Sequence, residues 1–307
     1  VCIVPGVLTR EECATMEAGA WNWLEHVTQD FEVPWKYNDS ATWGSFFELM
    51  PLHSMLLQHW GIGHSQWCWN VRMHRGVQKV FESIWNTPVS EMLTSFDGAS
   101  LHLPHETTKR GFYRGATWLH TDQSYTRPDH ECIQSWVTAR DVRVGDATLA
   151  FIPGSHLLHS RFATRFGVTD KADWFKLDSD QQKWYLDETG CGGVEFIQCP
   201  RGSMVLWDSR LIHSGSEPLR TRPRPNARVI AYVCFMPRSV LGRVKSKRDK
   251  VLSKRIKAFE ELRMTTHNPA KVKLFGKLPR LYGKAAPAIN NPPPPVLDNV
   301  GRRLVGY

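Results

Sequence analysis

The sequence predicts a mainly β domain: two sheets packed as a jelly roll, buttressed by helices. Three observations carry this. Apolar residues recur at helical spacing through the first 90 positions. From Glu91 to Pro237 the pattern changes to short β-rich runs separated by Gly, Pro, Asp and charged turns. A basic, helix-patterned segment then follows. Helices, then many short strands, then a helix is the order of a double sheet with helices packed beside it.

The elements follow in order. "VCIVPGV" reads as a short strand. Thr9 can cap a helix running to Val27, with Glu12 three residues on to complete a capping box, and Cys13, Met16, Ala20, Trp23, Leu24 and Val27 along one face. "MPLHSMLLQHW" and "GVQKVFESIW" predict two further amphipathic helices. In the second, Val77, Val80, Phe81, Ile84 and Trp85 share a face. The strand-like runs are "MLTSFDGASLHL", "TWLHTDQSY", "CIQSWVTARDV", "ATLAFIPGSH", "GSMVLWDSRLIHSG" and "RVIAYVCFMP", and a polar, partly helical insertion lies between His156 and Gly193. In "GSMVLWDS" the alternation of Met204, Leu206 and Asp208 with Val205, Trp207 and Ser209 predicts a half-buried strand. "RVKSKRDKVLSKRIKAFEEL" predicts a helix with Val244, Val251, Leu252, Ile256 and Phe259 inward and Lys245, Lys247, Arg248, Lys254, Arg255 and Lys257 in water. The prolines of "NNPPPPVLDNVGRRLVGY" predict an extended tail. We divide the chain into a domain over 1–237 (helical region 1–90, jelly roll 91–237) and a basic helical extension with a Pro-rich tail over 238–307, packed on the same domain.

With 41% hydrophobic residues, the 307-residue chain can bury a large core. No stretch approaches the ~18 uninterrupted apolar residues of a membrane helix. Seven scattered cysteines without a C-x-x-C pair argue for reduced thiols inside the cell, in the cytoplasm or nucleus, and against a disulfide framework or zinc ribbon. Between Arg238 and Lys284, 15 Lys and Arg face three acids, so the rest of the chain is mildly acidic. Such a segment is a solvated helical face, or it meets nucleic acid, an anionic cosubstrate or an acidic partner.

The chemistry centres on "WLHTDQSY". His120 and Asp122 stand two apart, and residues i and i+2 of a strand share a face. Such a pair forms a hydrogen bond, a catalytic dyad or part of a metal site, and the spacing alone does not choose. His213, 93 residues on, closes another β-run. Two His and one Asp match the facial triad that binds Fe(II) and leaves coordination positions open, here for a 2-oxo acid and O2.

"WLHTDQ", "IQSWVTARDV", "GDATLAFIPGSH", "WDSRLIHSGS" and "RVIAYVCF", in that order, resemble the phytanoyl-CoA dioxygenase family of Fe(II)/2-oxoglutarate-dependent oxygenases over Leu101 to Pro237. "VPGVLTREEC" adds a weaker match. The resemblance implies a double-stranded β-helix, a cupin-like jelly roll. It makes His120, Asp122 and His213 the iron ligands, and 2-oxoglutarate and O2 the cosubstrates. It assigns the 2-oxoglutarate carboxylate to an Arg at the strand after the distal His. Arg228 is our choice and Arg224 the alternative within the long "SGSEPLRTRPRPNA" hairpin. Trp136 matches a cosubstrate-contacting Trp. Gly215 stands where the family often has Ser, with Ser214 and Ser216 on either side. Arg114, Trp118, Gln123, Tyr125 and Arg127 are candidates for the substrate pocket, and His156 is a structural landmark of its turn. "RMTTHNPAKVKLFGKLPRLYG" is unlike the family core and is placed over the site entrance. The expected function is oxidation of a small organic substrate with release of succinate and CO2. Two alternatives stand beside it: the same chemistry on a nucleobase or nucleic acid reached through the basic segment, and a non-catalytic metal-binding jelly roll.

Overall fold

The computed structural model describes residues 1–50, 55–109, 111–113, 115 and 118–307. Its strands are β1 (Cys2–Val4), β2 (Met92–Thr94), β3 (Ala99–His102), β4 (His120–Thr121), β5 (Ile133–Thr138), β6 (Thr148–Phe151), β7 (Phe175–Lys176), β8 (Glu195–Phe196), β9 (Met204–Asp208), β10 (His213–Ser216), β11 (Arg228–Tyr232) and β12 (Phe235–Pro237). A major sheet has the order β1-β9-β5-β11-β3 and a minor sheet the order β7-β4-β10-β6-β8. Every pairing is antiparallel. This is the jelly roll that the sequence predicts.

The first helix, Arg10–Val27, starts where Thr9 and Glu12 exchange capping hydrogen bonds. It packs with Gln66–Met73 and Arg75–Trp85 against the outer face of the major sheet. The largest apolar cluster lies there, joining Ala20, Leu24, Trp69 and Phe81 to Met204, Leu206, Val229 and Ala231. A second cluster lies between the sheets and contains Trp136, Val205, Trp207 and Ile230 with Leu149 and Phe151. Strand β9 therefore sends Met204 and Leu206 to one core and Val205 and Trp207 to the other. It is buried on both faces, not half-buried as its alternation suggested, because helices cover the side that an open sandwich would leave wet.

Four further expectations change. The helix expected over "MPLHSMLLQHW" is absent from its described residues. Residues 55–60 are irregular, and Leu57 bridges to Ala99 beside β3. The helix falls instead at Gln66–Met73, where Trp67, Cys68, Trp69 and Val71 are buried almost all round, leaving no one-sided stripe to read. In the basic helix, Lys245–Glu260, Arg255 is not in water. Its guanidinium is 1% exposed and donates to the carbonyls of Thr94, Pro269, Leu304 and Val305, while lying 4.6 Å over the Phe96 ring. Val244, expected inward, is exposed. The tail is extended through its prolines, but Asp298 then caps a helix, Asn299–Val305, whose Leu304 and Val305 are buried. No helix among the described residues is long and apolar enough to cross a membrane.

Candidate metal centre and its cavity

His120 in β4 and His213 in β10 are directly opposite in register, so their side chains share a face, with ring centroids 4.6 Å apart. Each ring is tied to its own chain. His120 Nδ1 is 3.1 Å from the Trp118 carbonyl oxygen, and His213 Nδ1 is 3.0 Å from that of Leu211. A carbonyl can only accept, so each Nδ1 carries a proton and each Nε2 faces inward. Asp122 lies in the turn just past β4, where its backbone N–H donates to the Ser209 carbonyl. Its Oδ1 is 3.6 Å from His120 Nε2 and its Oδ2 3.5 Å from His213 Nε2. Gln134 Nε2 donates to Asp122 Oδ2 at 3.1 Å. One donor atom from each of the three residues lies within 4.8 Å of the other two.

The electrostatics suit a cation. Burial pulls His120 down to about 4, so its imidazole is neutral at ordinary pH. Burial alone would push the Asp122 carboxyl up. The imidazoles of His120, His213 and His267 around it outweigh that and hold it well below the usual carboxylate range. Two imidazoles, each with its Nδ1 tied to a backbone carbonyl, and one carboxylate are the donor set a divalent iron takes.

Arg228 opens β11 on the facing sheet and is buried. Its Nε donates to Ser100 Oγ at 3.0 Å, its Nη1 donates to the Ala147 carbonyl at 3.0 Å, and the guanidinium lies 5.5 Å over the Trp136 ring. It lines the same cavity of about 1020 Å³ as His120, Asp122 and His213.

The sequence profile of the phytanoyl-CoA dioxygenase family matches residues 1–225. The chain belongs to that family. It is a non-haem, iron- and 2-oxoglutarate-dependent oxygenase. Among curated proteins it is similar to the Ava biosynthesis cluster protein O of Aspergillus versicolor, with 26% identity covering 80% of this chain and 75% of that one. Among solved structures it is similar to the GlcNAc-inducible protein GIG2 of Candida albicans, with TM-score 0.54, 12% identity, and coverage of 84% of this chain and 64% of that one. It is also similar to EctD from S. alaskensis, solved with 2-oxoglutarate and 5-hydroxyectoine, with TM-score 0.48, 14% identity, and coverage of 78% and 72%.

The other sequence candidates divide. Trp118 lines the cavity, stacks on His120 with centroids 4.7 Å apart, and donates through Nε1 to the Gly215 carbonyl. Gln123 reaches the cavity, but its amide is engaged by the Arg127 and Asp129 carbonyls and by Ser209 Oγ, so it braces the loop after β4. Tyr125 is not in the pocket. It is buried behind the minor sheet, hydrogen-bonded to Tyr185 and stacked on His159 and Phe162. Arg127 pairs with Glu131 and Asp173 at the rim. Arg224 is exposed on the loop before β11, away from the cavity lining. Along β10, His213 and Gly215 face the cavity, while Ser214 and Ser216 fall on the opposite face. Trp136 sits behind Arg228, fully buried. Arg114 lies outside the described residues.

Sequence reasoning missed several lining residues. Gln134 carried a usable signal, since it stands two before Trp136 on one strand and shares its face. Asp97, Trp174, Lys176 and His267 carried none, because loop closure brings them in from elements far apart in sequence. His267 Nδ1 lies 4.0 Å from Asp122 Oδ2. The segment placed over the entrance does line the cavity, through Thr266, His267, Lys271, Lys273, Phe275 and Arg280 among others. Lys271 ties it down by pairing with Glu131 at 2.8 Å and Asp173 at 3.5 Å.

Proposed function

We propose that the enzyme oxidises a C–H bond of a small organic molecule, coupled to conversion of 2-oxoglutarate and O2 into succinate and CO2. In the simplest outcome one oxygen atom enters the substrate as a hydroxyl and the other enters succinate. The observation that carries this reading is the shared cavity, with two imidazoles and a carboxylate converging on one wall and a buried guanidinium on the other. Iron(II) bound by His120, Asp122 and His213 supplies the O2 chemistry.

The chain's own residues then have separable roles. Trp118 and Leu211 hold the two imidazole tautomers through their carbonyls. Gln134 fixes the Asp122 carboxylate by donating to Oδ2. Arg228 has given one N–H to Ser100 and one to Ala147 and also meets Tyr232, and its remaining N–H groups can take the 2-oxoglutarate carboxylate. The Trp136 ring beneath holds the guanidinium plane. Arg224 has no such setting. Ser214 and Ser216 point away from the cavity and are poor second anchors for the same carboxylate.

A small molecule is favoured over a nucleic acid by where the basic segment goes. Its Arg255 is spent inside the fold and its 266–280 stretch forms cavity wall. The relative's name, a biosynthesis cluster protein, supports the same choice. The test measures succinate formation and thermal unfolding together in Asp122→Ala. We expect succinate output at background, at least about a hundredfold down, with the fold retained. Near-wild-type output from the metal-controlled variant would remove the triad assignment.

A further inference from the structure

Cations other than Arg228 also line the cavity. Lys176 in β7 is directly opposite His120 in β4, and directly opposed antiparallel residues project from the same face. The lysine stem therefore runs beside a metal-binding imidazole on the cavity side, and Lys176 lines the cavity. Lys273 and Arg280 line it as well, from the segment after the basic helix. Among the described residues none of these three cations has a carboxylate within 4.0 Å, whereas the acids nearby are matched: Glu131 and Asp173 are held by Lys271 and Arg127. Three lining cations are thus left without a carboxylate partner among the described residues.

Arg228 and Lys176 enter the cavity from different sheets: Arg228 from β11 of the major sheet, Lys176 from the edge strand β7 of the minor sheet. Between them the lining is largely apolar and aromatic, including Trp118, Leu149, Trp207 and Phe275. Trp174 stands at the mouth, 53% exposed, with its ring 5.6 Å from that of His120. An indole left half in water beside a cavity is a stacking surface for a flat ligand.

Resting on the oxygenase reading above, we propose that the substrate is an organic acid. Its apolar, ring-bearing body lies against Trp118 and Trp174, and its oxyanion (carboxylate, sulfate or phosphate ester) is held by Lys176, Lys273 and Arg280. The acid group anchors one end at the mouth, so the body reaches across the metal face at a fixed distance. Ion pairing at a partly dry rim then selects the substrate and sets which carbon is presented.

The test uses two probes with one aromatic body, 8-anilinonaphthalene-1-sulfonate and its neutral counterpart N-phenyl-1-naphthylamine. Both are titrated by fluorescence into the protein loaded with Mn(II) and 2-oxoglutarate. The sulfonate should bind at least tenfold more tightly. Lys176→Gln combined with Lys273→Gln should weaken the sulfonate at least fivefold and leave the neutral probe within twofold. Lys245→Gln with Lys247→Gln, on the exposed face of the basic helix, should change neither. Equal affinities of the two probes in the wild-type protein, equal loss of both in the double variant, or the same loss in the Lys245/Lys247 control would overturn the proposal. Calorimetric titration of 2-oxoglutarate runs alongside. Its failure would count against the oxygenase reading, while the probe comparison remains readable.

Discussion

The major and minor sheets have five strands each, yet they bury different things. Major-sheet strands run to six residues, and the sheet is packed between the helices and the inter-sheet core, with Ser100, Gln134, Trp207, Arg228 and Tyr232 reaching the cavity. Minor-sheet strands are two to four residues long and carry His120, His213 and Lys176 on the face turned to the cavity. Long, doubly buried strands supply the stability, and short strands beside a cavity can bear polar groups because little core depends on them. The difference teaches where to look for chemistry in this fold: on the sheet that contributes least to the core. Arg228 is the charged exception at the cavity that tests the rule, with the polar Gln134 of β5 beside Asp122. The arginine is tolerated on the major sheet because Ser100, Ala147 and the Trp136 ring surround it.

The comparison can be broken most directly by truncating one side chain in each sheet. Leu206→Ala removes a buried side chain of the larger core and should cost about 2–5 kcal/mol. Leu149→Ala, on the minor sheet beside the cavity, should cost about half as much, because solvent can enter the space it leaves. Urea unfolding of both variants measures this, and equal losses would erase the distinction between the sheets.

Acid sharpens it next. His64 lies in the helix-side core against Trp69, Phe96 and Phe259. Burial pulls it down to about 3, with Arg72 and Arg255 adding to the effect against a hydrogen bond to the Arg263 carbonyl. The neutral ring is favoured in the fold and the unfolded chain takes the proton first. Its contribution is therefore complete above about 6.5 and is lost as pH falls toward 3. Between pH 6.5 and 4.5 this proton should cost roughly 2–3 kcal/mol, and His64→Gln should flatten the slope by up to one proton in unfolding curves taken across that range. His120, drawn down to about 4, adds a second such proton in the metal-free protein. Adding Mn(II) should alter the His120 contribution and leave that of His64 alone.

The smallest effect concerns the exception. Arg228→Leu should weaken 2-oxoglutarate binding more than tenfold, about 1.4 kcal/mol or more, and Arg224→Leu should change it less than twofold. Calorimetric titration of both variants decides. If Arg224→Leu is the damaging change, the hairpin before β11 carries the clamp.

Local signals determined much of this protein. The capping box at Thr9 and Glu12, the β-rich runs after Glu91 and the blocks around His120 and His213 are short-range patterns, because caps and strand alternation depend on residues a few positions apart. Those patterns were enough for the jelly roll and for the three residues that converge in the cavity. What spans the chain was decided by tertiary structure alone. The helix at Gln66–Met73 carries no stripe because it is buried nearly all round, and Arg255 reads as a surface charge until four carbonyls from distant segments close on it. Tyr125 looks like a pocket residue by its position beside Asp122, but the insertion after His156 packs over it. Lys176, His267 and Lys273 reach the metal face only when β7 joins the sheet edge and Lys271 pins the later segment to Glu131. Sequence blocks and their family resemblance point to the converging side chains of a strand-borne site, whereas the walls around it come from loops whose closure no local pattern records.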